Sequence, residues 1–460
     1  MQEKFETLRE KYNTFIYRSY EITSENNKLK IKYEFEILNL AKFEPQIEIE
    51  NIDLKSIDND LVKNIVFNLG MVEVISYWKC VCSPNIVVEC GVLDNYQKEW
   101  FTKLFYYGIG EFRYVNNIKI SMNELVNIKC VGATSNNAHV GAGLVPAQQE
   151  RNGNLILVGG GKDSVVTLET LKKDTQNNLC LTVGAKAPSL ECITLAGYKD
   201  NQIIKVNRTI DKELLKLNSE GFLNGHTPFS ALLAFISYFV AYVSGKEYVV
   251  LSNESSAEET NIKGDKINHQ YSKSYEFEQD FREYVSKYFD DSVKYFSLLR
   301  PINELQIAEI FSRQTNYHKV FKSCNVGSKS VPWKWCCSCP KCLFVFCILS
   351  PFLYKENLVD IFGEDLFEKQ ELLKTFIELC GYGETKPFEC VGTFEEVNFA
   401  VSTTIVRLEK AGNQLPYLLK YYKENYNLAD LNIDLLSQYN ENNNLDAEFE
   451  DLLKGQLNAR

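Results

Sequence analysis

Apolar and polar residues alternate over residues 31–37 (IKYEFEI) and 46–50 (QIEIE), a period of two that predicts strands with one buried face. Residues 86–90 (IVVEC) add another strand. Leu61, Val62, Ile65, Val66 and Leu69 instead recur at helical spacing, as do Trp100, Leu104 and Tyr107. Strands and helices mixed in this way predict an α+β domain over about residues 1–150. Residues 135–153 are rich in small, polar and glycine positions, with Pro146 and Gly153 as breakers, and read as a linker.

The pattern changes after residue 154. Short apolar runs at 155–158, 179–183, 203–206 and 247–252 alternate with helical patterns at 163–173, 228–244 and 274–289. This strand–helix alternation predicts an α/β domain with a parallel sheet covered on both faces. Ligands in such sheets bind beyond the carboxyl ends of the strands, so the loops after Val158 and Leu251 should face one crevice. Further helices are predicted at 302–313, 340–353 and 393–411. The expected organisation is therefore residues 1–150, a smaller α+β domain suited to substrate recognition, then 151–425, the catalytic α/β domain. An acidic, asparagine-rich segment, 426–460, should lie at the periphery. No internal repeat is present.

Composition narrows the partners. The 460 residues carry a net charge of −11, which argues against a nucleic-acid groove and favours a small-molecule substrate. The opening MQEKFETLREKYN is charged throughout, unlike a secretory signal. The apolar runs 231–243 and 343–354 fall short of the roughly 20 residues that cross a bilayer. Fourteen cysteines in such a chain suggest a reducing, cytoplasmic compartment, with thiols in the core or on metal. The pattern carries no signal for the oligomeric state.

The chemistry concentrates in LILVGGGKDSVVTLE, residues 155–169, where a buried strand runs into Gly159, Gly160 and Gly161 and then directly into a helix. Glycines let backbone approach an anion, and a helix N-terminus presents N–H groups and the positive end of its dipole. A Walker A loop sets Lys before Ser or Thr, and Lys162-Asp163 breaks that order. A dinucleotide fingerprint needs a third glycine where Ser164 stands. The remaining pattern is close to the S-G-G-x-D-S loop of the PP-loop ATPases, which cleave ATP between the α and β phosphates; here Gly159 takes the place of the first serine.

Two overlapping C-x-x-C steps, Cys336–Cys339 and Cys339–Cys342, together with Cys324 supply four thiolates. Four sulfurs suit a closed structural Zn²⁺ site, with an iron–sulfur cluster as the rival reading. Cys337 is the neighbour left over, and the other cysteines read as core residues. The segment 268–274 (NHQYSKS) gathers His269, Tyr271 and Lys273 just before a helix; capping by Ser272 or Ser274 is the plain alternative. Arg300, after an apolar run and before Pro301, is placed to clamp a carboxylate or phosphate. Glu254, in the Ser-Asn-Glu loop, is suited to holding Mg²⁺ beside ATP. His318 beside Tyr317 reads as structural, and His139 and His226 have no company that suggests chemistry.

Taken together, GGGKDS, LSNESSA, NHQYSKSYEFEQDF, YFSLLRPINELQIAEIF and SCN…WCCSCPKC resemble the MurL family of ATP-dependent UDP-N-acetylmuramoyl-L-alanyl-L-glutamate epimerases. SYWKC and GIGEFRY resemble that family's first domain. The 7-cyano-7-deazaguanine synthases share the glycine loop and cysteine cluster but are much shorter. The resemblance implies inversion of a terminal L-Glu to D-Glu through an acyl-adenylate, with AMP and diphosphate released, in peptidoglycan precursor synthesis. It implies that Gly159, Gly160, Gly161, Lys162, Asp163 and Ser164 bind ATP phosphates and that Asn253 and Glu254 complete the nucleotide or metal site. His269 and Lys273 are the expected acid and base, because proton transfer needs groups tunable near neutrality. Tyr271 and Arg300 are expected on the substrate, a nucleotide-linked peptide. An adenylate-forming ligase or amidating enzyme, an epimerase of another peptide C-terminus and a tRNA-modifying enzyme are the competing readings.

Overall fold

The computed structural model describes residues 1–52, 59–131, 151–259, 271–327 and 332–459. Among the described residues the strands are β1 (Thr14–Glu25), β2 (Lys28–Ile37), β3 (Ala41–Phe43), β4 (Gln46–Glu50), β5 (Asn85–Val88), β6 (Asn127–Cys130), β7 (Asn154–Leu157), β8 (Leu179–Val183), β9 (Ile203–Thr209), β10 (Tyr248–Leu251) and β11 (Lys294–Ser297). The fold is α/β, as the alternation predicts. The chain divides into two compact units. The first comprises Met1–Leu155, Ile204–Val249 and Ile267–Tyr295, and the second Ile156–Ile203, Val250–Lys266 and Phe296–Arg460.

The first unit is built on a long hairpin. Asn26 and Asn27 have φ of 52° and 58°, the left-handed pair a two-residue turn needs, and Glu25 pairs with Lys28. Along β2, Leu29, Ile31, Tyr33, Phe35 and Ile37 are buried on one face. The strands run in the order β9-β4-β2-β1-β5-β6, with β3 on β2. The helix Asp60–Trp78 starts at Asn59, whose side chain accepts from the Leu61 amide at 2.8 Å. It lies close against the sheet: a Cβ on Gly70 would stand 2.0 Å from Tyr17 Oη, so only glycine fits. Within this helix the fully buried Glu73 is matched by Arg208 of β9, Nε to Oε2 at 2.9 Å.

Strands β11-β10-β7-β8 carry the second unit's site at their ends. β10 and β11 run parallel: the Lys294 amide donates to Glu247 O and the Leu298 amide to Leu251 O, at 2.8 and 3.0 Å. The helix Lys162–Thr170 follows β7, and the helix Glu304–Ser312 follows β11, capped by Asn303 with Gln306 closing the reciprocal bond. The helix Pro340–Leu349 is buried along its length, and just beyond it Ser350 Oγ meets Thr404 Oγ1 of the helix Phe394–Lys410 at 2.6 Å. Residues within 426–459 make specific contacts with the second unit's helices. Asn303 Nδ2 donates to Leu435 O, Gln306 Nε2 to Leu436 O and Gln438 O, and Phe449 packs 4.7 Å from Phe296, centroid to centroid. Among the described residues no helix is long and apolar enough to cross a membrane.

Candidate functional site

β7 ends at Leu157, and the three glycines follow at once. Gly160 has φ of +86°, and a Cβ there would lie 2.7 Å from the Ser189 amide nitrogen, so both conformation and space demand glycine. Gly159 is exposed with nothing around it, and Gly161 is the extended N-cap of the helix Lys162–Thr170. Ser164 Oγ accepts from the Gly160 amide at 3.1 Å and donates to Gly161 O at 2.9 Å, which staples the loop from inside.

Lys162 is 1% exposed, and its ammonium lies between the carboxylates of Asp163 and Glu304. Burial disfavours that charge, but the two carboxylates outweigh it and hold the lysine above its ordinary pKa. Glu304, in the first turn of its helix, is lifted to about 7 by burial, against the pull of Lys162 and with Asp163 and Glu254 pushing the same way as burial. The glycine loop is thus backed by a buried, charged cluster.

That cluster extends to the LSNESSA loop. Ser252 Oγ meets Thr167 Oγ1 at 2.8 Å, and the Asn253 amide donates to Ser297 Oγ at 2.5 Å. Ser255 hydrogen-bonds Ile302 O through both its amide and its hydroxyl, at 3.1 and 3.0 Å. Arg300 is fully buried, and its Nη1 donates to Glu254 O at 3.0 Å. Glu396 Oε1 accepts from Ser256 Oγ at 2.6 Å and from the Glu304 amide at 2.7 Å. Burial, then the charge of Glu304, raises the pKa of Glu396. One network therefore joins residues 159–164, 252–256, 300–304 and 396. Sequence reasoning missed Glu304 and Glu396; the available signal was a glutamate set in an otherwise apolar stretch at a capped helix start.

Cys324, Cys336, Cys339 and Cys342 converge, with all four sulfurs within 4.8 Å of one another. Sγ separations are 3.8 Å for Cys324–Cys339, 3.7 Å for Cys336–Cys342 and 3.5 Å for Cys339–Cys342. A tetrahedron of thiolates about 2.3 Å from one ion has edges of about 3.8 Å, so the four fit a single metal ion. Gly327 turns the chain sharply, its amide 3.1 Å from Cys324 Sγ, where a Cβ would collide with Lys334 O. Cys337 turns away at φ of 54°, its thiol directed to Phe362 O.

Tyr271 and Lys273 form a short 3₁₀ turn in the first unit, and His269 lies outside the described residues. Ser274 caps the following helix, accepting from the Phe277 amide at 3.2 Å. Tyr271 is buried beside Tyr107, centroids 5.4 Å apart, with its hydroxyl 3.5 Å from Asp280, which Lys103 also holds at 2.6 Å. His318 is buried against Phe311, as a structural histidine should be.

Known proteins give this arrangement a context. The MurL N-terminal domain family matches residues 6–298 and the MurL C-terminal domain family residues 320–428. A UDP-N-acetyl-alpha-D-muramoyl-L-alanyl-L-glutamate epimerase of Xanthomonas oryzae pv. oryzae is 33% identical over 348 residues, 74% of each chain. Epimerases of the same name from Micromonospora sp. and Salinispora tropica are each 34% identical, over 73% of this chain and 73% and 71% of theirs. No solved structure matches. The chain belongs to the MurL family, and with its relatives it is an epimerase, an enzyme of the isomerase class.

Proposed function

We propose that the protein inverts the terminal L-Glu of UDP-N-acetylmuramoyl-L-Ala-L-Glu to D-Glu, using ATP to activate the glutamate as an acyl-adenylate. The observation that carries the ATP half is the loop 159–164, an open glycine at Gly159 leading into a helix N-terminus and backed by the buried Lys162–Glu304 pair. The substrate half rests on the relatives' activity.

The chemistry has a physical reason. An α-proton beside a free carboxylate is hard to remove, because the carbanion must form next to an existing negative charge. Conversion of that carboxylate to an adenylate cancels the charge and leaves a carbonyl able to accept electron density. Backbone N–H groups at the start of the helix Lys162–Thr170 would meet phosphate charge, and Asp163 and Glu254 are the carboxylates suited to Mg²⁺. His269 and Lys273 are the proposed proton donor and acceptor, and Tyr271 is proposed to contact the substrate. The four thiolates hold a structural Zn²⁺, for which their spacing fits.

One incubation tests this reading: protein, ATP, Mg²⁺ and the dipeptide substrate in deuterated water. AMP release accompanied by deuterium at the glutamate α-carbon is the expected result. AMP without α-deuterium identifies a ligase, and neither product identifies another peptide substrate.

A further inference from the structure

The three glycines offer no side chain to a ligand, and the fold brings one to them from far along the chain. The Lys322 amide donates to Gly160 O at 2.8 Å, so residues 322–323 run along the loop. Ser323 Oγ stands 2.6 Å from the point where a Cβ on Gly161 would be. Gly161 is thus a glycine for a second reason: its missing Cβ leaves room for that hydroxyl. Ser323 is partly exposed, and its hydroxyl has no hydrogen-bond partner among the described residues. A hydroxyl placed at a helix N-terminus and left unpaired among the described residues is a donor for an anion. The next residue, Cys324, is one of the four clustered thiolates, with Gly327 fixing its turn. The position of Ser323 is therefore set from both sides, by the loop at Gly160 and by the sulfur cluster.

We propose that Ser323 is a phosphate-binding residue of the ATP site, delivered to the glycine loop by the metal-binding turn that begins at Cys324. This rests on the reading of 159–164 as an ATP loop. It gives the cysteine cluster a role beyond stability, since it holds a ligand-contacting residue as well as a fold.

The test is equilibrium binding of Mg²⁺·ATP to the full-length protein and to Ser323→Ala, with metal content and thermal midpoint measured on the same samples. A hydrogen bond to a charged group is worth roughly tenfold in affinity or more. The expected result is ATP binding weaker by about that factor in Ser323→Ala, with metal content and midpoint unchanged. Under turnover, the KM for ATP rises while the KM for the peptide does not. ATP binding by Ser323→Ala within twofold of the unsubstituted protein overturns the proposal and leaves the ATP loop standing. Absence of ATP binding by the unsubstituted protein overturns the loop reading itself.

Discussion

Lys162 and Glu304, 142 positions apart in sequence, form an ion pair in which both side chains are within 2% of full burial. A buried pair contributes less than its short contact suggests, because both ions lose water, but loss of one partner strands the other. Lys162→Met leaves Glu304 without its cation and should cost up to about 3–5 kcal/mol in urea unfolding above pH 7, and less at lower pH, where the Glu304 carboxyl takes up a proton. Glu304→Gln should cost less, since Lys162 keeps Asp163. The double variant should be milder than the sum of the two.

The same pair predicts a pH dependence. Glu304 titrates near 7 in the folded protein rather than at its ordinary 4.5. Between those values the folded state binds more protons than the unfolded one. The stability from this group is therefore full below 4.5 and lost as pH rises through about 7. Glu304→Gln should flatten the fall in unfolding free energy across that window. A residual slope remains from Glu73 and Glu396, which burial shifts in the same direction.

The contrast between what was legible and what was not follows from range. The alternation in β2 and β4 and the overlapping C-x-x-C steps are local, so spacing alone carries them. The partner of Lys162 lies on a helix start that only the folded chain brings near, and Glu396 reaches Ser256 across 140 positions. No periodicity encodes such pairs. Residues 435–438 are held by amide side chains on their backbone carbonyls, and Phe449 packs on Phe296. Bonds to backbone carbonyls leave no trace in the side-chain pattern at positions 435–438. The interleaving of 204–249 and 267–295 with the first unit is likewise a property of packing.

Metal content separates the five clustered cysteines. Cys324→Ser and Cys342→Ser each remove one of four converging sulfurs and should lower bound zinc well below one ion per chain. Cys337→Ser should leave it unchanged, because its thiol points to Phe362 O. Exchange for Co²⁺ should give the absorption bands of tetrahedral thiolate coordination, and several irons per chain would overturn the zinc assignment.

Arg300 has its guanidinium on Glu254 O in a fully buried setting. Lysine cannot reproduce the planar fork, so Arg300→Lys should displace the loop that carries Asn253 and Glu254. The expected outcome is a raised KM for ATP and slower AMP release, with the KM for the peptide little changed. A rise confined to the peptide KM would instead assign Arg300 to the substrate carboxylates.

Activation and proton transfer should come apart at Lys273 and His269. Lys273 sits on the turn beside Tyr271, in the other compact unit from residues 159–164. Lys273→Met should therefore leave ATP binding intact while suppressing deuterium entry at the glutamate α-carbon by 10²-fold or more, the usual scale for a lost acid or base. His269→Asn should act in the same direction. Since one group takes the proton and the other returns it to the opposite face, the two variants should differ with the starting isomer: one blocks exchange from L-Glu substrate, the other from D-Glu. A variant that exchanges the α-proton at the unsubstituted rate from both isomers is not the acid or the base.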